Sequence, residues 1–149
     1  MNYEETFVKT PCPVARACAV LGDKWALMLV RDAFDGVTRF SDFQKSTLAA
    51  KNILTTRLKK LVEDGVFMTR PASDGSAYQE YILSEKGRAL FPLIVCLRQW
   101  GEANLFAPGE TYSVLVDNET GAPVEKMQVR NAQGEIIEAQ QSRRIPMTK

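Results

Sequence analysis

Between Lys51 and Lys60 the chain places Lys51, Asn52, Thr55, Thr56, Arg57, Lys59 and Lys60 with no acid among them, Glu63 being the first to follow. Ammonium, guanidinium, amide and hydroxyl groups gathered this closely are the donors and acceptors that meet phosphate oxygens and base edges. Turned as a helix at about 100° per residue from Leu58, the segment brings Leu54, Leu61 and Val62 within about 60° of it, which makes one apolar stripe. Asn52, Thr56, Lys59 and Lys60 fall on the other side and Arg57 on the flank. A solvated surface helix has the same pattern, so the neighbouring elements must decide between the two.

Other chemistries are excluded by what is missing. The 149 residues contain no histidine, which removes Ser-His-Asp and Cys-His catalysis, imidazole general bases and His-ligated metal sites. The three cysteines, Cys12, Cys18 and Cys96, are too few for a four-thiolate zinc site and lack disulfide-framework spacing. Cys18 and Cys96, among apolar helix neighbours, are expected in the core. With no Gly-rich phosphate loop either, no cofactor, no metal and no enzymatic activity are expected. The opening MNYEETFVKT has no apolar core of signal-peptide length, and no apolar run is long enough to span a bilayer, so a cytoplasmic protein without a membrane partner is expected.

Charge is segregated. The formal net charge is +1, yet residues 37–70 carry 7 basic and 3 acidic side chains, and residues 101–149 carry 5 and 7. Local fields steer association, so a near-neutral total does not count against a polyanionic partner.

The elements that would position the basic segment can be read in order. Pro13 suits the first turn of a short helix through Val14, Ala17 and Leu21, ended near Gly22. Asp23 caps KWALMLVRDAF, in which Trp25, Leu29 and Ala33 form one row, and Gly36 stops it. Ser41 is the expected N-cap of the short DFQKS helix, whose Phe43 shares the core with Phe40. A turn of a few residues then leads into the basic helix from about Lys51 to Glu63, and two helices so joined make a helix-turn-helix. After Gly65 the period shortens: Val66 to Arg70, an Asp-Gly turn and YQEYIL read as a hairpin wing. Ser84 and Glu85 open the longest helix, with Pro92 expected to kink it. Leu90, Phe91, Leu93, Ile94, Val95, Leu97 and Trp100 exceed one stripe, and a twin subunit is the natural cover.

The tail behaves differently. Pro108-Gly109 breaks the helix, and TYSVLVDNETGAPV and EKMQVRNAQGEIIEAQ each place an apolar strand before a polar Gly turn, so two hairpin-like units are expected. QQSRRIPMTK at the end is expected to be loose, with Arg143 and Arg144 as further candidate DNA contacts.

The string CPVARACAVLGDKWALMLVRDAFDGVTRFSDFQKS, followed by ILTTRLKKLVEDGVF, EYILSEKGRAL and LRQWGE, closely resembles the HxlR-type winged helix-turn-helix transcriptional regulators over residues 11–102. The landmarks are Cys-Pro-Val, Gly-x-Lys-Trp, Arg39-Phe40, the Leu-x-x-Arg-Leu of the basic helix and Glu-Tyr-x-Leu-x-x-x-Gly after the wing. The resemblance implies a mainly helical α+β fold, with a winged helix-turn-helix DNA-binding domain, a long C-terminal dimerisation helix and a small β extension. The expected division is residues 1–107 for the winged domain with its dimerisation helices and 108–149 for the extension.

The implied function is that of a bacterial, sequence-specific, homodimeric transcription factor on a palindromic operator, its half-sites one or two helical turns apart. Base edges would be met by Lys51, Asn52, Thr55, Thr56 and Arg57, and phosphates by Lys59, Lys60, Arg39 and Arg70. Dimer contacts would come from Val14 and Leu21 on the first helix and Leu90, Ile94, Leu97 and Trp100 on the long one. Cys12 is a candidate redox sensor, since some family members use the cysteine of this motif as a thiol switch and a helix N-terminus favours a thiolate. A small apolar effector bound in the dimer cleft or the extension is the alternative mode of control. Three departures stand out. Ala49-Ala50 lack a capping oxygen before the reading helix, the wing tip SDGS is acidic, and the cysteine knuckles that bind zinc in longer members are absent from both tail turns.

Overall fold

A computed structural model of the chain describes residues 8–146. The opening segment of residues 1–7 and the last three residues of the tail lie outside the described residues. The chain divides into two units, Met1–Ile94 and Val95–Lys149, the division falling inside the long helix.

The first unit begins with α1 (Pro13–Leu21), whose N-cap is Cys12, the sulfur accepting from the Ala15 N–H at 3.5 Å. Asp23 caps α2 (Lys24–Phe34), its Oδ1 taking the Ala26 N–H at 2.9 Å. Helix α3 (Phe40–Thr47) starts two residues earlier than expected: Arg39 is the N-cap, makes no side-chain cap bond, and Ser41 is already helical. Burial of Phe43 sets that start, and the two N–H groups of the first turn bond the Arg39 carbonyl instead. Buried Asp32 ties α2 to α3, its Oδ1 accepting from Arg31 at 2.6 Å and from the Ser46 hydroxyl at 3.0 Å.

Leu48 turns the chain in the left-handed region, φ 58°, where an L side chain is disfavoured. The turn holds because the Thr47 hydroxyl donates to the Phe43 carbonyl at 2.8 Å and accepts from Ala49 N–H at 3.3 Å. Helix α4 (Lys51–Glu63) follows, buried on Leu54, Leu58 and Leu61. Strands β1 (Phe67–Pro71) and β2 (Gln79–Leu83) pair antiparallel, with Phe67 opposite Leu83 and Arg70 opposite Glu80. The Tyr81 N–H donates to the Thr38 carbonyl at 2.7 Å, fixing the wing to the loop before α3. Phe43 is the hub, edge-on to Phe67 at 6.1 Å and to Tyr81 at 6.5 Å between ring centroids.

The helix expected from Glu85 onward is two. Helix α5 (Glu85–Arg88) ends and α6 (Phe91–Asn104) begins after a turn, because Pro92 has no N–H to donate and its ring would strike the carbonyl four residues back. Gly87 explains the glycine that closes the wing motif: a Cβ there would stand 2.2 Å from the Val66 carbonyl oxygen. Phe91 packs on Phe34 with ring centroids 5.3 Å apart, and Leu90 and Ile94 rest on the core.

In the second unit the two tail turns are built alike. Asp117 Oδ1 accepts from the N–H groups of Glu119 at 2.8 Å and Thr120 at 2.9 Å, and Asn131 Oδ1 from Gln133 at 3.1 Å and Glu135 at 2.9 Å. The Asp117 carboxyl is held below its ordinary range chiefly by the Thr120 N–H and then by that of Glu119. Each unit closes with one antiparallel bridge, Val116 to Pro123 and Arg130 to Ile136, rather than a ladder. Side chains that bond the local backbone compete with strand pairing, which keeps these units short. Among the described residues of this unit only Val95 is buried, so hydrogen bonds hold it more than packing does. Gln99 contributes by donating to the Glu125 carbonyl at 3.1 Å and accepting from the Met127 N–H at 2.7 Å. One pocket between α6 and the tail, lined by Val95, Arg98, Gln99 and Val114 among others, has a volume of about 30 Å³, enough for a water.

No helix of the described residues is long and apolar enough to cross a membrane. Cys18 and Cys96 are corrected from core to surface, since both side chains are exposed on helix faces that the single chain leaves bare.

Candidate nucleic-acid interface

Helix α4 presents two different polar sides. On the outer side Lys51, Asn52, Thr55, Thr56 and Lys59 are all exposed. Thr55 donates to the Lys51 carbonyl and Thr56 to the Asn52 carbonyl, both at 2.8 Å. The hydroxyl protons are thereby committed and the oxygens remain as acceptors. Ala50 is the N-cap and supplies no side-chain bond, which leaves the N–H groups of the first turn free for an anion at the positive end of the helix. Ile53 packs against the core instead of joining this side.

The other side of α4 turns inward. Arg57, its side chain 30% exposed, sets Nε 2.6 Å from Asp23 Oδ2, while the other oxygen of Asp23 caps α2. Lys60 donates to the Ala19 carbonyl at 3.0 Å and to Asp64 at 2.6 Å. Both cations are therefore engaged with their own chain, whereas Lys51 and Lys59 have no ion-pair partner among the described residues.

The wing arranges the remaining candidates. Arg39 forms an ion pair with Asp74 at the wing tip; this bond raises the guanidinium and holds the Asp74 carboxyl well below its usual range. Arg70 is exposed and reaches Glu80 at 3.3 Å. Glu80 is 3% exposed and takes the Ser73 N–H, so it anchors the base of the wing turn. Its carboxyl is lowered from 4.5 to about 2, mainly by Ser73 and then by Thr38 and Arg70, against the opposing effect of burial.

A carboxyl that binds its proton more weakly folded than unfolded adds stability above the unfolded value and loses it below. Urea midpoints are therefore expected to fall as the pH drops from about 4.5 toward 2, and Glu80→Gln is expected to flatten that fall. An unchanged pH profile in the Gln protein would show that Glu80 does not carry the effect.

Several partners had no clear mark in the sequence. Asp23 was legible as a cap, but its second bond to Arg57 was not. Asp74 was legible only as wing-tip acidity. Glu80 left a signal in the strand alternation, as a charged residue sharing a face with Tyr78 and Ile82. Of the apolar positions expected at a dimer contact, Val14 (70% exposed), Leu97 (43%) and Trp100 (61%) are open. Leu21 is corrected: at 8% exposure it belongs to the chain's own core, against which Leu90 and Ile94 pack, partly buried.

Known proteins are similar to this chain in sequence and fold. The family model described as HxlR-like helix-turn-helix matches residues 20–108. The crystal structure of PA1607, a candidate transcription factor, superposes with a TM-score of 0.90 at 51% identity, covering 94% of this chain and 98% of that one. Rv3095 of Mycobacterium tuberculosis, an uncharacterised HTH-type transcriptional regulator, is 41% identical over 95 residues, which are 64% of this chain and 60% of that relative's length. The reduced form of the redox regulator HypR superposes with a TM-score of 0.58 at 32% identity, covering 62% of this chain and 93% of that one. The match over the helix-turn-helix, the wing and the whole of α6 carries the conclusion: this chain belongs to the HxlR-like helix-turn-helix family.

Proposed function

We propose that the protein is a sequence-specific transcriptional regulator that binds double-stranded DNA as a homodimer, with residues 1–107 forming the winged and dimerising part and 108–149 an extension. The observation that carries this reading is the outer side of α4, where five exposed polar side chains and a free helix N-terminus stand together with no acid among them. Lys51, Asn52, Thr55 and Thr56 are assigned to base edges near the start of the helix, and Lys59 and Arg70 to phosphates. Arg39, Arg57 and Lys60 belong to the surface only where DNA draws them from their present partners. The bare apolar residues Val14, Leu97 and Trp100 support the homodimer. The resemblance to named transcriptional regulators favours this role over catalysis.

Selection of duplexes from a random-sequence library is expected to return a palindrome whose half-sites lie about 10–10.5 base pairs apart, or a multiple of that. Recovery of no common sequence would sink the reading.

A redox mode of control is favoured by one observation. HypR, a redox regulator, shares the fold, and Cys12 caps α1 as a free, half-buried thiol. Oxidation or alkylation at Cys12 is expected to lower DNA affinity. A Cys12→Ser protein that still responds to diamide would end this idea.

A further inference from the structure

The inward side of α4 borders a cavity of about 550 Å³ between α1, the start of α2 and α4 itself. That volume is in the range of small-molecule sites, which are mostly apolar with a few convergent polar groups. Val20, Ala26 and Leu61 supply apolar wall, and Asp23, Arg57 and Lys60 supply the charge. The remaining described lining residues are uncharged, Arg57 is paired with Asp23, and Lys60 with Asp64 just beyond the wall.

Hydrogen-bond geometry leaves one donor of this set unused. Arg57 Nε is buried and close to Asp23 Oδ2, yet the contact is not aligned as a hydrogen bond, and among the described residues its N–H has no other acceptor. Asp23 is already committed through its other oxygen to the Ala26 N–H. The partner of Lys60, Asp64, lies outside the cavity lining.

We infer that this cavity binds a small organic monoanion with an apolar body, its carboxylate held by Arg57 and Lys60, and that its occupancy alters DNA binding through α4. The apolar body removes wall surface from water. The carboxylate gives the Arg57 N–H an acceptor and competes with Asp23 for the guanidinium. Arg57 and Lys60 sit one turn apart on α4, the helix assigned to DNA, so the ligand and the duplex pull on the same element from opposite sides. Coupling between two such sites is reciprocal. The regulatory half of the inference rests on the proposed DNA-reading role of α4, and the ligand half does not.

The experiment uses 2-naphthoate and its uncharged counterpart 2-naphthamide, titrated calorimetrically into the full chain without DNA. Naphthoate is expected to bind at least about tenfold more tightly, the factor that a charge-assisted hydrogen bond supplies. Lys60→Gln is expected to erase that preference, and Ala19→Leu, which fills the cavity from α1, to weaken both compounds. Adding naphthoate is then expected to lower affinity for the selected duplex.

Absence of naphthoate binding, or equal binding of the two compounds, overturns the site. Undiminished binding by a folded Ala19→Leu protein overturns its location. Binding that leaves DNA affinity unchanged overturns the coupling. A chain that binds naphthoate but no duplex overturns the DNA-reading role, and the coupling with it, while leaving the ligand site supported.

Discussion

Phe43→Ala is expected to destabilise the protein by about 3–5 kcal/mol, the cost of deleting a fully buried aromatic ring whose surroundings collapse only in part. Phe43 is wholly buried and touches one ring from each strand of the wing, Phe67 and Tyr81. It therefore joins the first helix of the helix-turn-helix to the wing, and its loss should loosen both together. A total stability of 5–15 kcal/mol is usual for domains, so the variant should be near unfolding at ordinary temperatures. Urea unfolding followed by tryptophan fluorescence and by circular dichroism measures it. A loss under about 1 kcal/mol would mean that the two elements do not share one core.

Substitutions on the outer side of α4 carry the largest expected effects on binding, and they separate by type. Lys59→Ala should weaken binding to every duplex alike and reduce the salt slope by about 0.9, since one phosphate contact releases about that many counterions. Asn52→Ala should instead cost about 1–3 kcal/mol on the selected operator and much less on random DNA, because an amide reads a base edge through paired bonds. The side chains are exposed and committed to no partner that would hold the fold, so neither change should lower stability measurably. A salt slope unchanged in the Lys59→Ala protein would remove that residue from the phosphate contacts.

How much of this was legible in the sequence depends on the range of the interaction. Helix α4 is bounded at Lys51 and Glu63 as its apolar stripe requires, the Asp23 cap is where a short side-chain oxygen before a helix belongs, and the wing follows the change of period after Gly65. These features are set by neighbours in the chain. The partners of Arg57, Arg39 and Lys60 are not, because Asp23, Asp74 and the Ala19 carbonyl reach them through tertiary structure. Four residues with the right chemistry for DNA, Arg70 with its cross-strand Glu80 included, are therefore bonded to their own chain.

The exposure of Cys18 and Cys96 was hidden for a related reason. Helical periodicity shows that a face is apolar, but not whether the same chain covers it. In the tail, short apolar runs suggested strands, but the side chains of Asp117 and Asn131 take the turn N–H groups and leave one bridge per unit. For the candidate site, the outer side of α4 was legible from residue types and spacing alone. The inward side and its cavity depend on how α1 packs against α4, which no local pattern encodes.

If α4 reads bases with its outer side, Asn52 is the residue whose loss shows it. Fluorescence anisotropy would be measured for the wild-type and Asn52→Ala proteins on the selected operator and on every single base-pair change within one half-site. The variant is expected to lose discrimination at one base pair, by about 1–3 kcal/mol, while its preferences at the other positions stay as they were. Equal discrimination by the two proteins at all positions would contradict it.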